Sequence, residues 1–286
     1  MTQVDQFESV FRAAVKEQFE YSAVEIKKVM VVTDKDKSAT EVLAKKLEQY
    51  LSHILGDHDL SWVIVTGDQF ETAEELKDLV EDSNPDLIMT YRNLHTKAWQ
   101  FKFSLGTHLD VLLQAVNAPV LLIPHPDADY AARHAFASTG RVMAVTDDLE
   151  ADNNLVSRAI QFTVKDGTLF LVHIENEKVF ERYINVISKI STIDTENARE
   201  RIKEQLLKEP ADYIESCIEQ IKELDIPLVV ESVVDMGQHV RKYKNLIEQN
   251  QIDLLVMNTK DSEQLAMHRI AYPLAIELRE IPLLML

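Results

Sequence analysis

With 286 residues, 46% of them hydrophobic and 27% charged, the chain is globular and about twice the ~150-residue length of one domain. Its 30 Lys and Arg against 48 Asp and Glu leave a net charge of −18, which argues against nonspecific binding to nucleic acid or anionic lipid, where basic patches make the affinity. A single cysteine excludes a disulfide framework and any CxxC motif, and no apolar run reaches the ~20 residues of a membrane span.

In chain order, residues 1–24 carry Val4, Phe7, Phe11, Val15 and Phe19 on one helical face, which predicts an amphipathic helix packed on its own domain, with a dimer contact as the alternative. No signal-peptide core is present there, so the expected localisation is cytoplasmic. Short apolar runs then alternate with helical patterns. Strands are predicted at 28–33, 61–66, 86–90 and 119–123, with helices near 38–55, 71–82 and 106–117. After a linker at 125–140, where Pro, Asp, Ser and Gly collect, strands follow at 141–146, 168–174, 227–233, 253–257 and 282–286. The helices of this part fall near 152–164, 177–191, 196–208, 211–224, 238–250 and 271–279, the third and fourth separated at Pro210. Uninterrupted apolar strands separated by helices predict a doubly wound parallel α/β sheet.

The chain also repeats itself. Lys28-Val29-Met30-Val31-Val32-Thr33-Asp34 is echoed by Arg141-Val142-Met143-Ala144-Val145-Thr146-Asp147. Asp86-Leu87-Ile88-Met89 is echoed by Asp253 to Met257, and Ala118-Pro119-Val120-Leu121-Leu122-Ile123 by Ile281 to Leu286. Echoes in the same order predict a tandem duplication. Asp34 and Asp86 lie 52 residues apart but Asp147 and Asp253 lie 106 apart, so the first half lacks about one strand–helix unit. The last strand of the second half, Pro282 to Leu286, is an apolar edge, a hazard unless covered.

Six glycines, where about 20 would be average, leave no GxG, GxGxxG or GxxxxGK. Glycine loops cradle phosphates because a missing Cβ lets backbone N–H groups approach, so dinucleotide-binding and P-loop sites are not expected.

The ordered set of strand ends, occurring twice, resembles the universal stress protein family in its tandem two-domain form. Thr33-Asp34, Thr146-Asp147, Leu171-Val172-His173-Ile174, Trp62 to Asp68, and the two Asp-led fourth strands carry the resemblance. It implies an α/β fold of two tandem Rossmann-like domains, 25–124 (shortened) and 141–286, joined as a pseudo-dimer through their last strands, since the last strands of family dimers pair with each other; 119–123 and 282–286 are therefore expected to pair antiparallel about a pseudo-twofold axis. Residues 61–66 match the family's third strand, so the first half is expected to lack the second strand, which in the family borders the adenine. Nucleotide-binding members carry G-x-x-G, nine residues, then G-S or G-T. Here Asn258 and Asp261 stand at the two glycine positions, and Ala271-Tyr272 at Gly-Ser. The first half keeps Gly106-Thr107, but its preceding loop has no glycine and offers Arg92, Lys97 and Lys102 instead.

Asp34, Gly106 and Thr107 are therefore the candidate cofactor-binding residues. Asp34 and Asp147 each compete with a turn- or helix-capping role, and Gly106 with a plain turn. His125, Asp127, Asp129 and His134 are expected to form a solvated linker, and His53, Asp57, His58 and Asp59 an exposed helix end, neither spaced as a metal motif. Cys217 shares a stripe with Ile214, Ile218 and Ile221 and is expected to be a buried structural thiol. The resemblance points to a non-enzymatic stress-adaptation protein with degenerate nucleotide loops, no catalytic residues, no resident cofactor or metal, and a protein partner, self-association as a homodimer, or a small ligand as its contact. The alternative is an ATP- or AMP-binding member with one irregular site at Asp34, Gly106 and Thr107.

Overall fold

The structure, a computed structural model, describes residues 18–55, 60–132, 134–146, 152–259 and 271–286. In chain order the elements are β1 (Lys28–Val32), α1 (Lys37–Tyr50), α2 (Ser52–Leu55), β2 (Ser61–Val65), α3 (Ala73–Ser83), β3 (Leu87–Tyr91), a 3-10 turn (Ala98–Gln100), α4 (Thr107–Ala115) and β4 (Val120–Ile123). They continue with β5 (Arg141–Thr146), α5 (Asn153–Phe162), β6 (Thr168–Asn176), α6 (Glu177–Ile187), α7 (Thr195–Glu223), β7 (Val229–Gly237), α8 (His239–Gln249), β8 (Leu254–Met257), α9 (Ala271–Glu277) and β9 (Leu283–Met285).

All strands join one nine-stranded sheet in the order β2-β1-β3-β4-β9-β8-β5-β6-β7. Every pairing is parallel except β4 with β9, where Val120, Leu121 and Leu122 face Met285, Leu284 and Leu283. That is the predicted pairing of the last strands. It removes two exposed apolar edges at once, since β4 and β9 are buried throughout. Outward from this seam the first half runs β4, β3, β1, β2 and the second β9, β8, β5, β6, β7. The near-continuous apolar strands have helices as their crossovers, as a buried parallel sheet requires.

The comparison of halves corrects one expectation. β2 hydrogen-bonds directly to β1, with Lys28 against Ser61 and Val32 against Val65. It therefore occupies the slot that β6 fills beside β5, and the strand missing from the first half is the outer one, equivalent to β7. Sequence spacing located the shortening but not the slot, because strand order is a matter of pairing across the sheet.

A second correction concerns Pro210. The predicted break is absent, and α7 runs unbroken through it for 29 residues, roughly 40 Å at 1.5 Å per residue. Proline removes one backbone donor but does not end a helix whose flanking turns are held by packing. Tyr213, Ile214, Cys217 and Ile221, together with Pro210 itself, are buried. The Cys217 thiol is shut off from solvent and pushed up to about 12 by burial, in keeping with a structural role.

The proposed N-terminal helix lies mostly outside the described residues. Its described end, 18–24, is not helical, and it packs on the second half instead of its own. Phe19 is buried edge-on to Tyr213, its backbone N–H donates to Ser216 Oγ, and the Ser22 N–H donates to Ser157 Oγ. The linker is solvated only in part: Asp127 and Asp129 are exposed as expected, whereas His125 is buried, His134 is half-buried and other linker residues pack on the fold. Phe136 packs against Tyr50 with Lys46 over its ring, His53 Nε2 lies 2.6 Å from Thr139 Oγ1, and the Ala132 N–H donates to the Glu280 carbonyl.

Candidate functional site

In open α/β sheets ligands bind beyond the carboxyl ends of the strands, where loops diverge and helix N-termini point inward. Both halves present such a cleft, and they are built differently.

In the first half, β1 delivers Asp34 to the cleft floor. Gly67, after β2, is there because the chain passes so near that a Cβ would lie 2.6 Å from the Asp34 carbonyl. β3 ends on Tyr91, whose hydroxyl donates to Asp34 Oδ1 at 2.5 Å and accepts from the Asp34 N–H at 3.1 Å. The His95 N–H donates to Asp34 Oδ2 at 2.9 Å. Both carboxylate oxygens thus have protein partners. The loop turns sharply enough to hold Asn93 and His95 at φ of 61° and 60°, conformations asparagine and histidine tolerate better than most residues. The space above is aromatic: Phe70 lies edge-on to His95 and His108 with ring centroids 4.8 and 5.4 Å away, and Tyr91 is edge-on to His125 at 4.7 Å.

Gly106 caps the start of α4 at φ 94°. A Cβ there would sit 2.8 Å from Asn93 Cα, so this glycine serves a close approach of two backbone segments. The Asn93 N–H donates to the Leu105 carbonyl at 2.7 Å. Thr107 is exposed at the first helical position. Asp110 occupies the first turn of α4 and already meets the helix dipole with a carboxylate, its protonation favoured by burial. Asp34, Gly106 and Thr107 thus border one loop region, but Asp34 and Gly106 are each engaged by that loop. Of the three basic residues foreseen as anion contacts, Lys102 pairs with Glu277 at 3.3 Å and Arg92 is buried.

In the second half, Asp147 and Asp261 lie outside the described residues. Asp152 caps α5 by accepting from the Leu155 N–H at 3.0 Å, and Asn258, beyond β8, donates its amide to Asp152 Oδ2. Burial raises the Asp152 carboxyl above its ordinary range, opposed by those two hydrogen bonds. Beside them is a cavity of about 260 Å³ lined by Asp152, Asn154, Asn258, Thr259, Leu113 and Met285, so it draws on both halves. Tyr272 is half-buried, its hydroxyl raised by burial beside Asp110.

Sequence reasoning missed the aromatic filling, Tyr91, His95 and Phe70, because those residues read as ordinary strand and loop members. It also misplaced His125, read as solvated and in fact 2% exposed. Of the expected exposed helix end, Asp57, His58 and Asp59 lie outside the described residues, and His53 is exposed as expected, with partial desolvation lowering its pKa. Among the described residues no cluster of three His, Cys, Asp or Glu could hold a metal ion, and no helix is long and apolar enough to cross a membrane.

Comparison with known proteins fits this architecture. Residues 138–269, most of the second half, match the model of the universal stress protein family. A functionally unknown protein of Pseudomonas aeruginosa shares the fold over most of both chains, with a TM-score of 0.52, 14% identity, and coverage of 91% of this chain and 92% of that one. A universal stress protein of Archaeoglobus fulgidus is 12% identical, covering 91% of this chain and 85% of that one at a TM-score of 0.46. No curated protein matches the chain.

Proposed function

We propose that the whole chain is a universal-stress-type protein in tandem two-domain form. On this reading it works in the cytoplasm without an enzymatic step and without a standard ATP site. Its role would be stress adaptation through a small ligand, a protein partner or a second copy of itself. The observation that carries the reading is the filled first-half cleft: both oxygens of Asp34 are hydrogen-bonded by Tyr91 and His95, and Gly106 is spent on contact with Asn93. The second cleft supports it from the other side. Its cavity of about 260 Å³ lies below the roughly 300–1,000 Å³ of ligand pockets, and it presents a carboxylate where a phosphate would need donors. A protein contact is supported by Val179, Tyr183 and Val186, exposed along one face of α6, with exposed Ile190 continuing it.

Calorimetric titration of ATP and AMP into the full chain, with mass spectrometry of small molecules released from natively purified protein, tests the reading. No heat of binding and no stoichiometric nucleotide are expected. A stoichiometric adenine nucleotide overturns it in favour of a binding member with an irregular site at Asp34, Gly106 and Thr107. Asp34→Ala and Thr107→Val would then locate that site.

A further inference from the structure

Where β3, the linker and the end of α9 meet, the protein buries cationic and donor groups without an acid. Arg92, the residue after β3, is 2% exposed. Its Nη2 donates to the Leu278 carbonyl at 3.1 Å, whereas Nε and Nη1 are buried without a partner. Arg279, just beyond α9, donates from Nη1 to the Trp99 carbonyl at 3.0 Å and lies 4.5 Å over the Tyr130 ring, its Nε also buried and unpartnered. The Tyr130 hydroxyl is buried and unpartnered as well. His125 stacks on Trp99 with ring centroids 4.4 Å apart, and its Nδ1 accepts from the Asp127 N–H at 3.2 Å. That bond puts the ring proton on Nε2, which is buried with no partner.

The unsatisfied atoms can all donate: Arg92 Nε and Nη1, Arg279 Nε, Tyr130 Oη and His125 Nε2. The nearest acids are spent elsewhere, Asp34 on Tyr91 and His95, and Asp127 on Lys35. Burial lowers Arg92 only to about 10, with Arg279 adding repulsion, so it is still a cation at neutral pH. A buried cation without a counter-charge is strongly disfavoured, and water could satisfy a donor but not the charge. We propose that Arg92, Arg279, Tyr130 and His125 enclose a site for a small tetrahedral oxyanion of the phosphate type. Because its donors are shut off from solvent, the site takes the free ion in preference to a phosphate monoester, and the exposed turn Ala98–Gln100, which carries Trp99 over His125, covers it.

The test uses the full chain with Trp62→Phe, so that Trp99 is the only tryptophan left of the two. Inorganic phosphate released on denaturing natively purified protein is assayed first. Protein freed of it is then titrated with inorganic phosphate, with chloride of equal ionic strength as the control and AMP as a second arm. A saturable change in Trp99 fluorescence at one ion per chain is expected, weakened at least about tenfold by Arg279→Gln, since a charge-assisted hydrogen bond is lost. Arg92→Gln should abolish it. Should that variant not fold, Tyr130→Phe replaces it, with a several-fold weakening expected. No response beyond that of chloride, an affinity unchanged in Arg279→Gln, or AMP binding tighter than phosphate each overturns the proposal.

Discussion

The two halves use the same strand ends for different purposes. In the first, Asp34 is locked between Tyr91 and His95 and the cleft is filled with rings, so the strand ends act as a second packing layer. In the second, Asp152 and Asn258 bond to each other at the rim of a cavity that remains open. The lesson is that large side chains can fill the cleft at one set of strand ends without altering the sheet beneath it. Closing it converts residues that look like ligand contacts into structural ones. It also makes the halves unequal while the β4–β9 seam binds them into one sheet.

The largest expected effect tests that seam. Leu284 on β9 is fully buried and pairs with Leu121 on one side and Val256 on the other. Leu284→Asp puts a charge there and should cost at least about 4 kcal/mol, unfolding both halves in one denaturant transition. A biphasic curve that leaves one half folded would show the halves to be energetically separate. Next, Gly106→Val should destabilise the first half by about 2–3 kcal/mol whether or not any nucleotide is present, because a side chain at φ 94° meets the Asn93 backbone. Denaturation midpoints of this variant against the parent check it, and an unchanged midpoint would return Gly106 to the list of ligand-binding glycines.

Acid sharpens the contrast between filled and open clefts. Burial depresses His125 to about 4, below its ordinary value of 6.5. The unfolded chain therefore takes up this proton first, and the stability present above about pH 6.5 is lost as pH falls toward 4. The expected loss is on the order of 2 kcal/mol, and His125→Gln should flatten that part of the pH–stability curve. The smallest effect belongs to the open cleft. Asp152→Asn keeps the helix cap through its one amide oxygen, its new NH2 can donate to the Asn258 amide oxygen once that amide turns over, and a carboxylate that burial disfavours is removed, so stability at pH 7 should change by less than about 0.5 kcal/mol. Calorimetric melting would detect a larger loss, which would mean that the charge itself holds the loop.

Much of the fold was legible in the chain. Each β-strand was foreseen within a few residues because buried parallel strands are uninterrupted apolar runs, and the echoed segments located the seam. The candidate site was legible only as a set of missing glycines. Its filling depends on pairs such as Asp34 with Tyr91 and Phe70 with His108, far apart in the chain and without a spacing rule. Pro210 was misread because helix continuity there rests on the burial of Tyr213, Ile214 and Cys217, which propensity alone does not contain.

The sequence by itself determined the α/β class, the echoed strand ends and the shorter first half, because these follow from hydrophobic periodicity and spacing, and the resemblance it carries supplied the antiparallel pairing of the last strands. Only the tertiary structure decided that β2 takes the slot beside β1, that residues 18–24 cross to the other half, and that Arg279 lies over the Tyr130 ring while Arg92 and His125 are buried. Those outcomes arise from contacts between residues up to about two hundred positions apart, such as the Phe19 N–H with Ser216, 197 residues on. Pairing at that range is chosen by shape and burial once the chain has folded, and local pattern does not encode it.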